Sequence, residues 1–134
     1  MKSQIILCSG GARSGKSEFA ERLALATKGR KAYVATGQAF DEEMVDRIKK
    51  HQERRGDIWT NFEVPLYLAK EWQHISNAAD VILIDCLTMF TTNHMMIHGS
   101  IQGQKDANRL EDAVLSELEA LLHSITSSDD KTVI

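Results

Sequence analysis

The sequence has little of several things. It holds one proline, two cysteines and 6% aromatic residues, and no apolar run approaches the roughly 20 residues of a membrane-spanning helix. Cys8 and Cys86 both sit in apolar, strand-like runs, which predicts buried, reduced thiols and excludes a disulfide framework or a cysteine metal site. Charge of one sign is also lacking. Sixteen Lys and Arg against 19 Asp and Glu leave a net charge of −3, which argues against a bulk nucleic-acid or anionic-membrane binder. A basic, aromatic-rich groove for nucleic acid is missing as well. No repeat, low-complexity tract or linker divides the chain. Met1-Lys2-Ser3-Gln4 runs straight into a strand-like segment with no visible signal peptide, so a cytoplasmic location is expected. What remains is 43% apolar and 26% charged, the composition of one globular domain with a core of its own.

The strongest pattern is Gly10-Gly11-Ala12-Arg13-Ser14-Gly15-Lys16-Ser17, which fits the phosphate-binding P-loop. The spacing has a chemical reason. Glycines let the backbone curl until several N–H groups point at phosphate oxygens. Lys16 reaches the β- and γ-phosphates as a point charge, the Ser17 hydroxyl ligates Mg²⁺, and a helix starting here adds its positive end. The flanks agree. Gln4-Ile5-Ile6-Leu7-Cys8 reads as a buried parallel strand, and Phe19, Ala20, Leu23, Ala24 and Ala26 recur at helical spacing.

The rest of the chain alternates in the same way. Residues 31–35 predict a second strand, placing Ala35, Thr36 and Gly37 at its carboxyl end, where ligands of such sheets sit. Asp41 is expected to cap a helix reaching Arg55, on which Met44, Ile48 and His51 share one face and Arg47, His51 and Arg55 an overlapping one. On spacing alone His51 reads as a half-buried histidine near a helix end. Pro65 is expected to open the next helix at its first turn, and Glu63 before it is either surface charge or a partner for a ribose hydroxyl. The run 80–88 is the strongest strand signal, with four apolar residues followed by Asp85. A carboxylate at the end of an apolar strand is costly unless paired, and here it predicts a share in the Mg²⁺ held by Ser17. Residues 91–106 predict a mobile or packing segment with a loop at Gly99 and Gly103. His94 and His98 lack the intervening Glu of a zinc-protease helix. Leu110, Val114, Leu118, Leu121 and Ile125 stripe a long helix, and residues 131–134 begin another strand. The expected fold is therefore α/β, a P-loop, RecA-like domain with a mainly parallel sheet over residues 4–9, 31–35, 80–85 and 131–134, flanked by helices.

Four stretches taken together resemble one family. They are residues 10–17; Ala35-Thr36-Gly37; Met44…Arg47-Ile48-Lys49-Lys50-His51…Arg55…Trp59…Glu63; and Ile82-Leu83-Ile84-Asp85-Cys86-Leu87-Thr88. In wording, order and spacing the chain resembles the bifunctional adenosylcobinamide kinase/adenosylcobinamide-phosphate guanylyltransferase family of cobalamin biosynthesis. The resemblance implies two reactions, phosphorylation of adenosylcobinamide by ATP or GTP and transfer of GMP from GTP to the resulting phosphate through a GMP–histidine intermediate. It puts the nucleophile at His51 and nucleotide contacts at Gly10, Gly11, Ala12, Arg13, Ser14, Gly15, Lys16, Ser17, Ala35, Thr36, Gly37, Gln52, Glu53, Arg54, Arg55, Glu63 and Asp85. Mg²⁺ at Ser17 and Asp85 is expected, with adenosylcobinamide as small-molecule substrate, no nucleic acid, no membrane span and a homotrimer. Family members continue with a Val-Thr-Asn-Glu-Val-Gly-like stretch, so residues 1–134 are expected to form a single P-loop domain without that C-terminal segment.

Two other readings share Lys16, Ser17 and Asp85: a different P-loop kinase for a small metabolite, and a non-enzymatic nucleotide-binding module. The kinase has no use for a nucleophilic His51. A Ras-type switch needs an Asn-Lys-x-Asp stretch, which the sequence lacks.

Overall fold

The computed structural model describes residues 1–11, 13–38, 42–99 and 101–134. Among these the strands are β1 (Gln4–Ile5), β2 (Lys31–Ala35), β3 (Trp59–Glu63), β4 (Val81–Asp85) and β5 (Thr132–Val133), all parallel in one sheet in the spatial order β1-β5-β4-β2-β3. The helices are α1 (Lys16–Ala26), α2 (Glu42–Arg55), α3 (Leu68–Ala78), α4 (Leu87–Ile97) and α5 (Gln104–Thr126). The expected α/β architecture is therefore present, with Ile5 and Ile82 in one sheet and His51 on a helix. Among the described residues no helix is long and apolar enough to cross a membrane.

Side chains alternate across a strand, so a sheet covered on both faces needs apolar residues at successive positions. β2 and β4 obey this rule. Ala32, Val34 and Ile82 face one core with Leu68, Trp72 and Ile75 of α3, Phe90 of α4, and Leu121 and Ile125 of α5. Tyr33, Val81 and Leu83 face the other, with Ala20 and Ala24 of α1 and Trp59 of β3. Asp85 falls on the α1 face by the same alternation. The amino ends of the central strands are joined by charge. Asp80 accepts from the Arg30 backbone N–H at 2.9 Å, and its carboxylate lies 3.2 Å from the Arg30 Nε and 3.8 Å from the Lys131 Nζ.

Several expectations need correction. The run 4–9 is not a buried strand. Only Gln4 and Ile5 are in β1, Ile5 is 46% and Leu7 77% exposed, while Ile6 and Cys8 pack inward. Both residues of β1 are exposed, and it is Ile6 and Cys8, just after it, that pack against the core on the α1 side. Cys8 and Cys86 are free thiols, half-buried rather than buried. Pro65 does not open α3. Tyr67 precedes that helix in a left-handed conformation (φ 54°), and its N–H goes to His94 Nε2 at 3.3 Å. Pro65 belongs to the loop, where its carbonyl accepts from Asn93 at 3.0 Å. Within residues 91–106 the first part is helix α4. Its buried Asn93 and His94 strap the loops after β2 and β3, and His94 stacks edge-on to Phe90 and Tyr67. His94 is thus a packing residue. β3 was not anticipated. The expected cap at Asp41 lies outside the described residues.

Candidate functional site

The phosphate loop joins β1 to α1, and its geometry explains its glycines. A Cβ on Gly10 would stand 2.6 Å from the Ser14 Oγ, and Gly15 caps α1 at φ 84°, a conformation that suits glycine. The chain turns there through a Ser14 N–H bond to the Gly11 carbonyl at 3.3 Å. The Lys16 Nζ donates to the same carbonyl at 3.3 Å, which folds the ammonium over the loop. Ser17 follows in the first turn of α1, where unpaired backbone N–H groups and the helix dipole favour an anion. Ala12 lies outside the described residues.

Asp85 ends β4 on the α1 face, and its carboxylate accepts a hydrogen bond from the Tyr33 hydroxyl. Burial, followed by that hydrogen bond and the Asp85 charge, pushes the Tyr33 phenol well above its ordinary range, so it stays a donor. Next to Asp85, Thr36 is fully buried. Its hydroxyl donates to the Cys86 carbonyl at 2.6 Å and accepts from the Cys86 N–H at 2.8 Å. Thr36 therefore locks the ends of β2 and β4 together with its side chain already committed.

His51 is exposed on α2 and borders two cavities. One, of about 360 Å³, is walled by α2 itself, including Arg47, Lys50 and Arg54. Two of these cations are paired within the helix: Arg47 with Glu43 at 3.8 Å, and Lys50 with Asp46 at 3.0 Å. The other cavity, of about 340 Å³, contains His51 together with Ser17, Tyr33, Arg54, Arg55 and Asp85. Here the sequence-expected phosphate, metal and histidine elements share one space.

One turn after His51, the Arg55 side chain is only 6% exposed. Its guanidinium lies 3.6 Å from the Tyr33 ring centroid, donates to the Asn61 Oδ1 at 3.0 Å and faces Glu21 at 3.9 Å. Its Nε is buried with no hydrogen-bond partner among the described residues. A buried donor left unpaired is uncommon and marks a place where an acceptor is wanted.

Of the sequence-expected set, Ser17, Ala35, His51, Arg54, Arg55 and Asp85 line this cavity; Gly10 and Lys16 instead border an adjoining apolar cavity of about 420 Å³ that shares Ser17 and Asp85 with it. Gly37, Gln52, Glu53 and Glu63 do not line the shared cavity; Glu63 pairs in register with Ala35, which in turn pairs with Asp85. Sequence reasoning passed over Tyr33, Glu21 and Asn61. The only signal for Tyr33 was an aromatic with a polar tip inside an otherwise aliphatic strand, where the hydroxyl demands a partner.

The donor set fits Mg²⁺. Among the described residues no group of three or more His, Cys, Asp or Glu could hold a metal ion. One hydroxyl and one carboxylate at a phosphate loop suit an ion that takes its other ligands from phosphate and water.

Comparison with known proteins gives these features a lineage. Residues 6–134 match the family described as cobinamide kinase / cobinamide phosphate guanyltransferase. The "bifunctional adenosylcobalamin biosynthesis protein CobP" of Pseudomonas aeruginosa is 41% identical over 119 residues, covering 89% of this chain and 62% of that protein. The "bifunctional adenosylcobalamin biosynthesis protein CobU" of Escherichia coli is 32% identical over 142 residues, covering 97% of this chain and 72% of the relative. Its Salmonella typhimurium namesake is 32% identical over 139 residues, again covering 97% and 72%. With a family match over nearly its whole length, and with Ser17 of the phosphate-loop motif lining one cavity with the helical His51, the chain belongs to the cobinamide kinase / cobinamide phosphate guanyltransferase family.

Proposed function

We propose that this chain phosphorylates adenosylcobinamide and then transfers GMP from GTP to adenosylcobinamide phosphate, giving adenosylcobinamide-GDP and pyrophosphate, with GMP carried on His51 between the two half-steps. The observation that supports this most is that His51, Ser17 and Asp85 line one cavity. A triphosphate held by the loop at residues 10–17 presents its α-phosphorus to a nucleophile outside the loop. The imidazole lone pair forms the nitrogen–phosphorus bond as the bond to the pyrophosphate oxygen breaks, and Lys16 stabilises the charge on the departing group. An oxygen of the acceptor phosphate then attacks the same phosphorus, and the bond to His51 breaks, which regenerates the imidazole. Arg54 and Arg55, which both line the cavity, neutralise phosphate charge. Ser17 and Asp85 would hold Mg²⁺, which would supply charge neutralisation to the phosphates there.

For the kinase step the same loop holds ATP or GTP, with the γ-phosphoryl group passing to the substrate hydroxyl. The reading includes Gly37, Gln52, Glu53 and Glu63 as further nucleotide contacts, a homotrimeric assembly and a cytoplasmic location. Incubation with GTP and Mg²⁺ followed by intact-protein mass spectrometry tests the transferase half. One added GMP with GTP, and no adduct with ATP, is expected. An unmodified mass under both conditions would instead favour a plain P-loop metabolite kinase.

A further inference from the structure

Tyr33 touches both halves of the site at once. Its hydroxyl donates to the Asp85 carboxylate, and its ring carries the Arg55 guanidinium at 3.6 Å. Tyr33 itself has little freedom. β2 is paired on both sides, with Tyr33 opposite Asn61 of β3 and Leu83 of β4. The ring also meets Trp59 edge-on at 6.0 Å and 84°.

We propose that Tyr33 is a positioning residue that sets two separate geometries with one side chain: its hydroxyl orients Asp85 toward the cation shared with Ser17, and its ring seats Arg55 and with it the turn of α2 that bears His51. This rests on the roles of Asp85 and His51 given above.

The first half follows from the freedom of a carboxylate. The terminal torsion of Asp is broad, so an unsupported Asp85 would present either oxygen over a range of angles. A charge-assisted bond from a fixed phenol holds one oxygen and leaves the other for a cation. The second half follows from the burial of α2, which has no fully buried residue among its fourteen. Apolar packing therefore fixes its rotation and depth less firmly than that of a helix with buried residues, with only Met44 and Ile48 half-buried among its large apolar side chains. Arg55, four residues after His51, shares its helix face, so seating Arg55 on Tyr33 sets where the histidine stands. Glu21 of α1 and Asn61 of β3 hold the guanidinium in the plane of that stack.

The two halves separate by substitution. Tyr33→Phe keeps the ring and deletes the hydroxyl. Tyr33→Leu deletes both. Mn²⁺ binding, read as loss of the free-ion electron paramagnetic resonance signal in the presence of α,β-methylene-GTP, involves no turnover. Tyr33→Phe is expected to weaken Mn²⁺ binding about 10-fold, with a melting temperature close to that of the parent. Asp85→Asn serves as the reference and should weaken it at least as much. With GTP, the deficit of Tyr33→Phe in GMP transfer to the protein should shrink as Mn²⁺ is raised, whereas that of Tyr33→Leu should persist at saturating metal. Parent-like Mn²⁺ binding by Tyr33→Phe alongside a weakened Asp85→Asn would leave Tyr33 as packing only and overturn the proposal, with Asp85 still a ligand. Parent-like binding by Asp85→Asn would remove the metal role of Asp85 and the proposal with it.

Discussion

Helices α2 and α3 follow neighbouring strands of one sheet, yet they are held in opposite ways. α3 buries Leu68, Trp72 and Ile75 in the core that also takes Val34, Ile82 and Phe90. α2 buries no residue completely. It is tied down by Arg54 and Arg55 to Glu21, by Arg55 to Asn61, and by the stack of Arg55 on Tyr33. Burial is non-directional and does not respond to ligands, so α3 belongs to the scaffold. Ion pairs and cation–π contacts are directional and respond to incoming charge, and the exposed one, Arg54 with Glu21, is weak. A phosphate entering the shared cavity competes with Glu21 for the same arginines. The helix carrying the candidate nucleophile is thus fastened by the groups its ligand would engage, as expected where function needs a less stable segment.

The largest expected effect breaks the buried side of this contrast. Trp72→Ala removes a core ring and its 2.8 Å hydrogen bond to Ser128. It should cost about 3–5 kcal/mol in denaturant unfolding. Val45→Ala on α2, at a position 53% exposed, should stay within about 0.5 kcal/mol of the parent. Equal losses at the two sites would mean that α2 is packed in a way its burial does not reveal. Hydrogen–deuterium exchange sharpens the same contrast. Amides of α2 should exchange faster than those of α3 by on the order of 10-fold or more, and a bound GTP analogue should slow α2 selectively. Matching protection of the two helices before ligand is added would count against a loosely fastened α2.

Acid probes a different use of charge. Arg30 holds the Asp80 carboxyl down at about 2, chiefly through its side-chain and backbone hydrogen bonds. A depressed carboxylate contributes stability that is present above its ordinary value of 3.8 and is lost as pH falls toward about 2. Asp80→Asn should therefore flatten the stability–pH curve in that window while leaving the exchange of α2 unchanged. The smallest expected effect is at His94. Burial lowers its pKa below 6.5, so the folded state resists its protonation, and stability should begin to fall as pH drops below that value. His94→Gln keeps an acceptor for the Tyr67 N–H and should remove that slope. A slope that survives the substitution would assign it to another group.

What was legible in the sequence follows from the same physics. The phosphate loop is written locally, because its curled backbone demands glycines at fixed positions. β4 is written locally too, since a strand covered on both faces needs an unbroken apolar run. β3 was invisible because an edge strand pairing only with β2 tolerates Thr60 and Asn61 at exposed positions. In α4, Leu87, Met95, Met96 and Ile97 are exposed while Asn93 and His94 are buried, so no apolar stripe announces the helix. β1 was over-read because a continuous apolar run does not say that both faces are covered. The family wording picked out His51 and Arg55, but the contacts that bring them to Asp85 run through Tyr33, Glu21 and Asn61. Those residues lie on three other elements, and only the folded sheet makes them neighbours.

The most direct test is a map of the covalent product. Protein treated with GTP and Mg²⁺ is digested under alkaline conditions, which preserve a phosphorus–nitrogen bond, and sequenced by tandem mass spectrometry. GMP is expected on His51, lost on acid treatment, and absent from His51→Ala even though that variant still binds GTP through the loop. GMP on His94 or His98, or on no residue, would contradict the assignment of the nucleophile to α2.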